Sequence, residues 1–497
     1  MKKLFTILVT LLMVFSLAGC GSKEETKTGE QTEPVTLTFE LSTLFIVPDL
    51  ANIQIVEDEV NRYLAEDLGE TGYKIHLKVT SIGDYLTNVP MELAGGGDDC
   101  PDVVQVFTLA SDVSNGYLVN LDPYLDNELK GTCDLIGNVI GSGKLNGSIY
   151  MVPRYFGTVL DWKWIYNKET IANAGVDVSG VKDLDSLYTT LLELKKADPE
   201  DYFIVYTDQF DDIKNYDYDT SVIGTYGATV GSDATIVNYF KTDAYKDAIE
   251  LAYKFRQAGL ADPEGSNNTA SHDTVVMSGS SKGVIMGHSA DCEAIGKMFS
   301  KSNTYGAEFD AKTISIGDLY TDTLGVGITY NCKDPAAAAR FINLLYTDEY
   351  LWDTFIYGKE GVSYVWNEDH TAANYPDGLD FNTIPYNLIY SCGMIGNGFQ
   401  TIVFESDSES GSDPEYGAKL MTQAWCPPLY GFTPDVTNVA NEVAAVSNVV
   451  EQYNKVLTFG DVDPATVYPE FIAALDNAGI ENIIAEFNTQ AAAFLGK

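Results

Sequence analysis

Between Val35 and Val106 the chain alternates between two hydrophobic periods, and this restricts its fold more than any other feature. Val35-Thr36-Leu37-Thr38-Phe39-Glu40-Leu41 repeats every second residue, as a half-buried strand does. From about Ile53 to Leu68 the apolar residues Ile53, Val56, Val60 and Leu64 recur at spacings of three and four, the signature of a helix with one buried stripe. Tyr73, Ile75, Leu77 and Val79 return to the period of two. A further helix-like piece leads into Pro101-Asp102-Val103-Val104-Gln105-Val106, a short apolar run suited to a buried parallel strand. Strand, helix, strand, helix, strand predicts an α/β lobe whose helices cover a mostly parallel sheet.

The rest of the chain is too long for one such lobe, so two or three units are expected. Ile149 to Pro153 and Val159 to Tyr166 read as extended stretches around Gly157. Beyond them a second α/β region begins, with a helix near Ser186 to Lys196 and a strand at Phe203 to Tyr206. The extended pair is therefore the expected crossover between lobes. Asp334-Pro335 opens a helix, because Asp caps well and Pro is tolerated at the first helical position. Thr433-Pro434 opens another, with Val436, Val439, Val443, Val446, Val450, Tyr453 and Leu457 on its stripe and Gly460 as its stop. Helical patterns follow near Pro469 to Asn477 and Ile480 to Leu495.

The N-terminus has three parts. Lys2 and Lys3 give a positive start, Leu4 to Leu17 is an almost unbroken apolar run, and Leu17-Ala18-Gly19-Cys20 closes it with small residues and a thiol. The run falls short of the roughly 20 apolar residues that span a bilayer. It resembles the signal peptide and lipobox of bacterial lipoproteins, which implies cleavage before Cys20 and acylation of that cysteine. Gly21 to Pro34 is polar and aperiodic, so it is expected to be a tether. A folded body leashed to the extracytoplasmic face of a cell membrane is the corresponding location.

With 30 basic and 72 acidic residues the chain carries a formal net charge of −42. Such a field repels phosphate backbones and argues against nucleic acid as a partner. The six cysteines after Cys20 are widely spaced with no C-x-x-C pair, so zinc is not expected and their pairing stays open. Four histidines show no metal-ligand spacing, and neither a metal nor a cofactor is expected. Gly279-Ser280-Ser281-Lys282-Gly283 fits the G-x-S-x-G pattern, but a strand follows it where a nucleophile elbow needs a helix. Acidic pairs are too plentiful to single out a glycosidase dyad. The chain reads as a binding protein, not an enzyme.

Several segments, in order, resemble the extracellular solute-binding proteins of carbohydrate-type ABC importers. They are the lipobox at Cys20, Pro101 to Val104, Leu121 to Leu125, Gly147-Ser148-Ile149-Tyr150-Met151-Val152-Pro153 and Ile165-Tyr166-Asn167-Lys168. Lys282 to Met286 and Asp334-Pro335 through Asp348 follow. Leu429-Tyr430-Gly431-Phe432-Thr433-Pro434-Asp435 through Ile480 is similar to the extra C-terminal domain of a lipoprotein subgroup. The resemblance implies a type II, two-lobed periplasmic-binding-protein-like clamp with crossover hinge strands and a helical C-terminal region. It places 1–19 as signal peptide and 20–34 as tether. Residues 35–155 with 314–348 form lobe 1, 156–313 with 349–428 form lobe 2, and 429–497 are helices packed on the lobes. Its partners would be a small solute, the permease subunits and, through lipid, the membrane.

Sugar sites need aromatic faces together with carboxylates and amides for hydroxyls. The chain has 31 Tyr, 22 Phe and five Trp. By resemblance, loops after the lobe strands meet the solute. This nominates Thr43 and Phe45, Phe107 and Thr108, Arg154 and Tyr155, Trp162, and His288, Ser289 and Asp291, with Trp366 and Trp425 nearer the C-terminus. Trp164, on the same strand face as Trp162, reads instead as inter-lobe core. A sugar or oligosaccharide is the implied solute, with a peptide-binding lipoprotein or a secreted glycosidase as alternatives.

Overall fold

The computed structural model describes residues 33–43, 47–145, 147–156, 161–210, 213, 218–219, 223–268, 282–288, 304–308, 324–380, 383–388, 395–400, 402–405, 414–423 and 427–496. The folded body begins at Val35.

Strand β1 (Val35–Thr43) is followed by α1 (Leu50–Glu66), β2 (Tyr73–Ser81), α2 (Ile82–Gly95) and β3 (Val103–Val106). Asp49 caps α1 by accepting from the Asn52 amide, and Ser81 caps α2 by accepting from that of Asp84. β1 pairs in parallel with both neighbours, from Val35 opposite Tyr73 through Thr43 opposite Ser81 on one side and Phe39 opposite Val103 on the other. On one face Leu37, Phe39 and Leu41 pack with Ile53, Val56, Val60 and Leu64 of α1. On the other, Tyr85, Val89 and Leu93 of α2 pack with Val104 and Val106. Glu40, on the polar side of the expected half-buried strand, is therefore buried as well, as is Ser42 beyond it. A central strand in a three-layer lobe has no wet face.

The sheet continues with two strands distant in sequence. β4 (Val152–Pro153) lies at one edge, β5 (Asp161–Asn167) and two others form a second sheet, and the chain then returns. α3 (Lys168–Ala174), α4 (Leu184–Ala197) and α5 (Asp243–Gln257) lie between β5 and its antiparallel partners β6 (Gly283–His288) and β7 (Thr304–Glu308). β8 (Gly325–Ile328) inserts antiparallel between β3 and β4, giving the first sheet the order β2-β1-β3-β8-β4. The second core gathers Trp164 and Tyr166 of β5, Leu184, Leu187, Leu191 and Leu194 of α4, and Phe255 of α5. Phe203 to Tyr206, expected as a strand, is buried but among the described residues makes an isolated bridge, from Ile204 to Ala261, and no ladder. Neighbouring backbone bonds run from Phe203 and Ile204 to the Leu260 carbonyl.

Two further corrections concern the C-terminal half. Residues 349–428 were expected in lobe 2. Instead Leu351, Trp352, Phe355 and Ile356 of α7 (Glu349–Tyr357), next to α6 (Pro335–Thr347), share the first core, as do Leu388, Ile395, Phe404 and Leu420. An ion cluster fixes this placement. Glu59 of α1 meets Arg62 at 2.7 Å, Lys359 at 2.7 Å and the Tyr350 hydroxyl at 3.0 Å. The helix expected from Thr433 begins later: Asp435 caps a turn by accepting from the Thr437 amide, a 3-10 turn covers Thr437–Val439, and α8 (Ala440–Thr458) follows.

α9 (Pro464–Ala478) and α10 (Ile480–Phe494) complete the chain. Their Phe471, Leu475, Ile480, Ile483 and Phe487 share one apolar cluster with Ile223, Val230, Ile236, Phe240, Tyr245 and Ile249. Arg256 pairs with Asp461 at 2.9 Å and Thr207 donates to the Thr458 carbonyl at 2.7 Å. The C-terminal helices thus form a further core with residues 223–249, which α5 links to the second one through Tyr245 and Ile249 on one side and Leu251 and Phe255 on the other, while Lys144 of the first lobe stands 5.1 Å over the Phe494 ring.

Candidate functional site

The strand order β2-β1-β3, with α1 and α2 on opposite faces, creates a topological switch point between β1 and β3. In open α/β sheets ligands bind beyond the carboxyl ends of the strands at such a point. Thr43 ends β1 and Phe107-Thr108 follow β3, so three nominated residues flank it. Thr43 is still within the strand and buried, whereas Thr108 is exposed.

Buried hydrogen bonds fix these tips. The Ser42 amide and hydroxyl donate to Gln105 Oε1 at 2.7 and 2.6 Å, and the Tyr85 hydroxyl donates to the Gln105 carbonyl at 2.8 Å. The Tyr85 ring meets Phe107 edge-on at 5.6 Å. Thr108 donates to Asp112 at 3.2 Å, and burial pushes the Asp112 carboxyl above its ordinary range. Two residues back along β1, fully buried Glu40 faces Lys78 of β2 at 3.0 Å, and Lys78 also reaches Glu92 of α2 at 2.6 Å. Burial, then the hydrogen bond with Glu92, pushes the Glu40 carboxyl up to about 7, against the lowering pull of Lys78.

The links between the two sheets make the second part of the site. β4 belongs to the first sheet and β5 to the second, so the chain crosses between them after Pro153. The Arg154 amide donates to the Leu324 carbonyl at 3.1 Å, which sets this crossing beside the start of the return strand β8. Tyr155 donates to the Gly396 carbonyl and accepts from the Gly398 amide, at 2.9 and 3.0 Å, so the loop 395–400 docks on the crossing like a short strand. Asn397 and Gln400 anchor that loop by donating to the carbonyls of Tyr346 and Leu345. Two glycines allow the approach. Gly396 has φ +63° and a Cβ there would overlap the Trp352 ring, and a Cβ on Gly398 would stand 2.6 Å from Phe156. Phe399 then meets Tyr155 at 5.1 Å and Phe156 at 5.9 Å.

The other nominated residues are placed differently. Trp162 is 6% exposed and lies in the second core, on one face of β5 with Trp164 and Tyr166. Its indole N–H has no hydrogen-bond partner among the described residues. His288 is the last residue of β6, opposite Asp161, and not in a loop. Trp366 is half-buried against the first core, 5.8 Å from Tyr364 and 5.9 Å from His370. Phe45, Ser289, Asp291, Trp425 and Cys20 lie outside the described residues. Sequence reasoning passed over Gln105, Phe156 and Phe399. Gly396-Asn397-Gly398-Phe399, a tight turn followed by an aromatic, was the available signal for the last two.

Cys100, Cys133 and Cys332 are unpaired, and among the described residues no cluster of His, Cys, Asp and Glu could hold a metal ion. No described helix is long and apolar enough to cross a membrane.

Two α/β cores, with the tip of β3 and the start of the crossing side by side at one end of the first sheet, define a two-lobed solute-binding protein of type II. Residues 55–351 match the model of the bacterial extracellular solute-binding protein family, and the chain belongs to that family. Residues 428–496 match a domain of unknown function (DUF3502). Over 505 residues the chain is 22% identical to a "Carbohydrate ABC transporter substrate-binding protein" of Streptococcus pneumoniae serotype 4 (strain ATCC BAA-334 / TIGR4), covering 99% of this chain and 98% of that protein. The crystal structure of an N-glycan transport solute binding protein (NgtS) from Streptococcus pneumoniae matches at a TM-score of 0.71 and 20% identity, covering 93% of this chain and 99% of that one. The same protein in complex with Man1GlcNAc matches at a TM-score of 0.59 and 20% identity, over 93% and 100% of the two chains.

Proposed function

We propose that this chain is the carbohydrate receptor of an ABC importer. It captures a sugar or oligosaccharide between its lobes and passes it to permease subunits without altering it. The observation that carries the reading is the end-to-end match to a carbohydrate substrate-binding protein, which includes the C-terminal helices as well as the two lobes. The site supports it in kind: strand tips held rigid by buried hydrogen bonds on one side, and aromatic rings where the chain crosses to the other lobe. A solute that touches both lobes stabilises the form in which they approach, and that differential affinity is the only driving force closure needs. The net charge of −42 favours a neutral solute over an anionic one.

Cys20 carries the lipid that holds the receptor at the outer face of the cell membrane. Mass spectrometry of the mature N-terminus is expected to show a diacylated Cys20, and a Cys20→Ser chain is expected in the medium.

A thermal-shift screen of the purified chain against neutral oligosaccharides, including Man1GlcNAc, Man5GlcNAc and maltotriose, tests the solute. A ligand that binds only the folded state at about 100 times its Kd adds roughly 2.7 kcal/mol. Stabilisation by peptides with silence from every sugar would overturn the carbohydrate reading.

A further inference from the structure

We propose that Phe156, seated on the loop 395–400, is the face on which one sugar ring of the solute stacks. This inference rests on the carbohydrate reading above and assigns a specificity-determining residue within it.

Exposure of a phenylalanine means little by itself. The setting of Phe156 is what carries the inference. Its neighbour Tyr155 is buried and tied by two backbone hydrogen bonds to the loop, while Phe156 keeps 38% of its surface exposed. One side of the ring is backed. It lies against Gly398, where even a methyl group would stand 2.6 Å from Cδ2 and 2.8 Å from Cγ, and Phe399 meets it at 5.9 Å with a tilt of 46°. Gly398 therefore lets the ring rest on backbone, and the remaining surface faces outward. The residue lies in the segment that leaves the first sheet for the second, one residue beyond the backbone bond that joins Tyr155 to Gly396.

The chemistry of that face fits one class of guest. A benzene ring has a negative face, which suits the slightly positive C–H groups on the flat side of a pyranose. It offers no hydrogen bond to a peptide amide and no charge to an anion. The backing by a docked loop fixes the ring before the solute arrives, which lowers the ordering cost of binding.

The test is isothermal titration of the full mature chain with the tightest binder from Man1GlcNAc, Man5GlcNAc and maltotriose. Phe156→Ala, Phe156→Leu and Phe156→Trp are compared with the parent, each checked for an unchanged unfolding midpoint. Stacking is worth enough that Ala and Leu are expected to weaken binding about three- to tenfold, while Trp stays within about twofold. Leu keeps the bulk and the apolar character but loses the flat face, so a purely structural role would spare it. Unchanged affinity in Phe156→Ala overturns the assignment, as does equal weakening in all three variants. If the parent chain binds none of the oligosaccharides, the carbohydrate reading itself has failed, and that outcome is separate.

Discussion

Replacing Glu40 by Gln should stabilise the protein at alkaline pH and do nothing at acid pH. Glu40 is fully buried, with Lys78 as the shared counter-charge for it and Glu92, and Tyr85 packed on the same face of the sheet. Burial first, and the Glu92 contact second, raise its carboxyl from 4.5 to about 7. A carboxyl whose pKa is higher in the folded than in the unfolded state holds its proton more tightly when folded. Stability is therefore greatest below the unfolded value, declines as pH rises through the interval from 4.5 to about 7, and stays reduced above it. At 1.36 kcal/mol per pH unit the loss is on the order of 3 kcal/mol, and about 2 once the partial exposure of Lys78 is allowed for. Gln keeps the shape and the neutral state at every pH. Urea unfolding at pH 5 and pH 8 should show Glu40→Gln gaining about 2 kcal/mol at pH 8 and little at pH 5. Destabilisation at pH 8 would refute the reasoning, because it would mean that the Glu40–Lys78 pair outweighs the cost of burying the charge.

Three further outcomes follow from the packing. Burial alone would raise the Glu59 carboxyl, but hydrogen bonds from Arg62, Lys359 and Tyr350 outweigh it and hold the group at about 2. Glu59→Gln should thus cost about 1–3 kcal/mol at neutral pH, a penalty that shrinks as pH falls below 4.5 toward 2, measured by urea unfolding across that range. Gly396→Ala should destabilise by about 3 kcal/mol, since it adds left-handed strain at φ +63° to an overlap with Trp352, and a thermal scan will show it. Truncation before residue 428 removes Phe471, Leu475, Ile480 and Phe487 from the cluster they share with Phe240, Tyr245 and Ile249. Amide hydrogen exchange should then show lost protection across 223–257, with 35–106 still protected; an unchanged 223–257 would contradict the shared core.

The first lobe was legible because its signals are local. The period-two runs at Val35 and Tyr73 and the stripe Ile53-Val56-Val60-Leu64 place strands and helix directly, and β1, α1 and β2 fall on them. What could not be read was long-range. Nothing around 355 records that Phe355 packs 5.4 Å from Phe39, or that Trp352 and Phe404 join the same core, since apolar residues specify burial without naming a partner. Thr433-Pro434 imitates a helix start, and only the Asp435 cap shows the 3-10 turn that delays it. At the candidate site, Thr43, Phe107, Thr108, Arg154 and Tyr155 are nominated through the resemblance, and they fall at the strand ends and the crossing. Phe156 and Phe399 were passed over because their pairing depends on a loop more than 240 positions away that docks through backbone atoms, which leave no trace in side-chain pattern beyond two glycines.

The most direct test of the account is titration of the purified chain with the oligosaccharide selected by thermal shift, followed by recovery of that sugar. One molecule should bind per chain, and it should be recovered intact with no new reducing ends. Heat from peptides alone, or a sugar returned cleaved, would contradict the claim that the chain is a carbohydrate receptor.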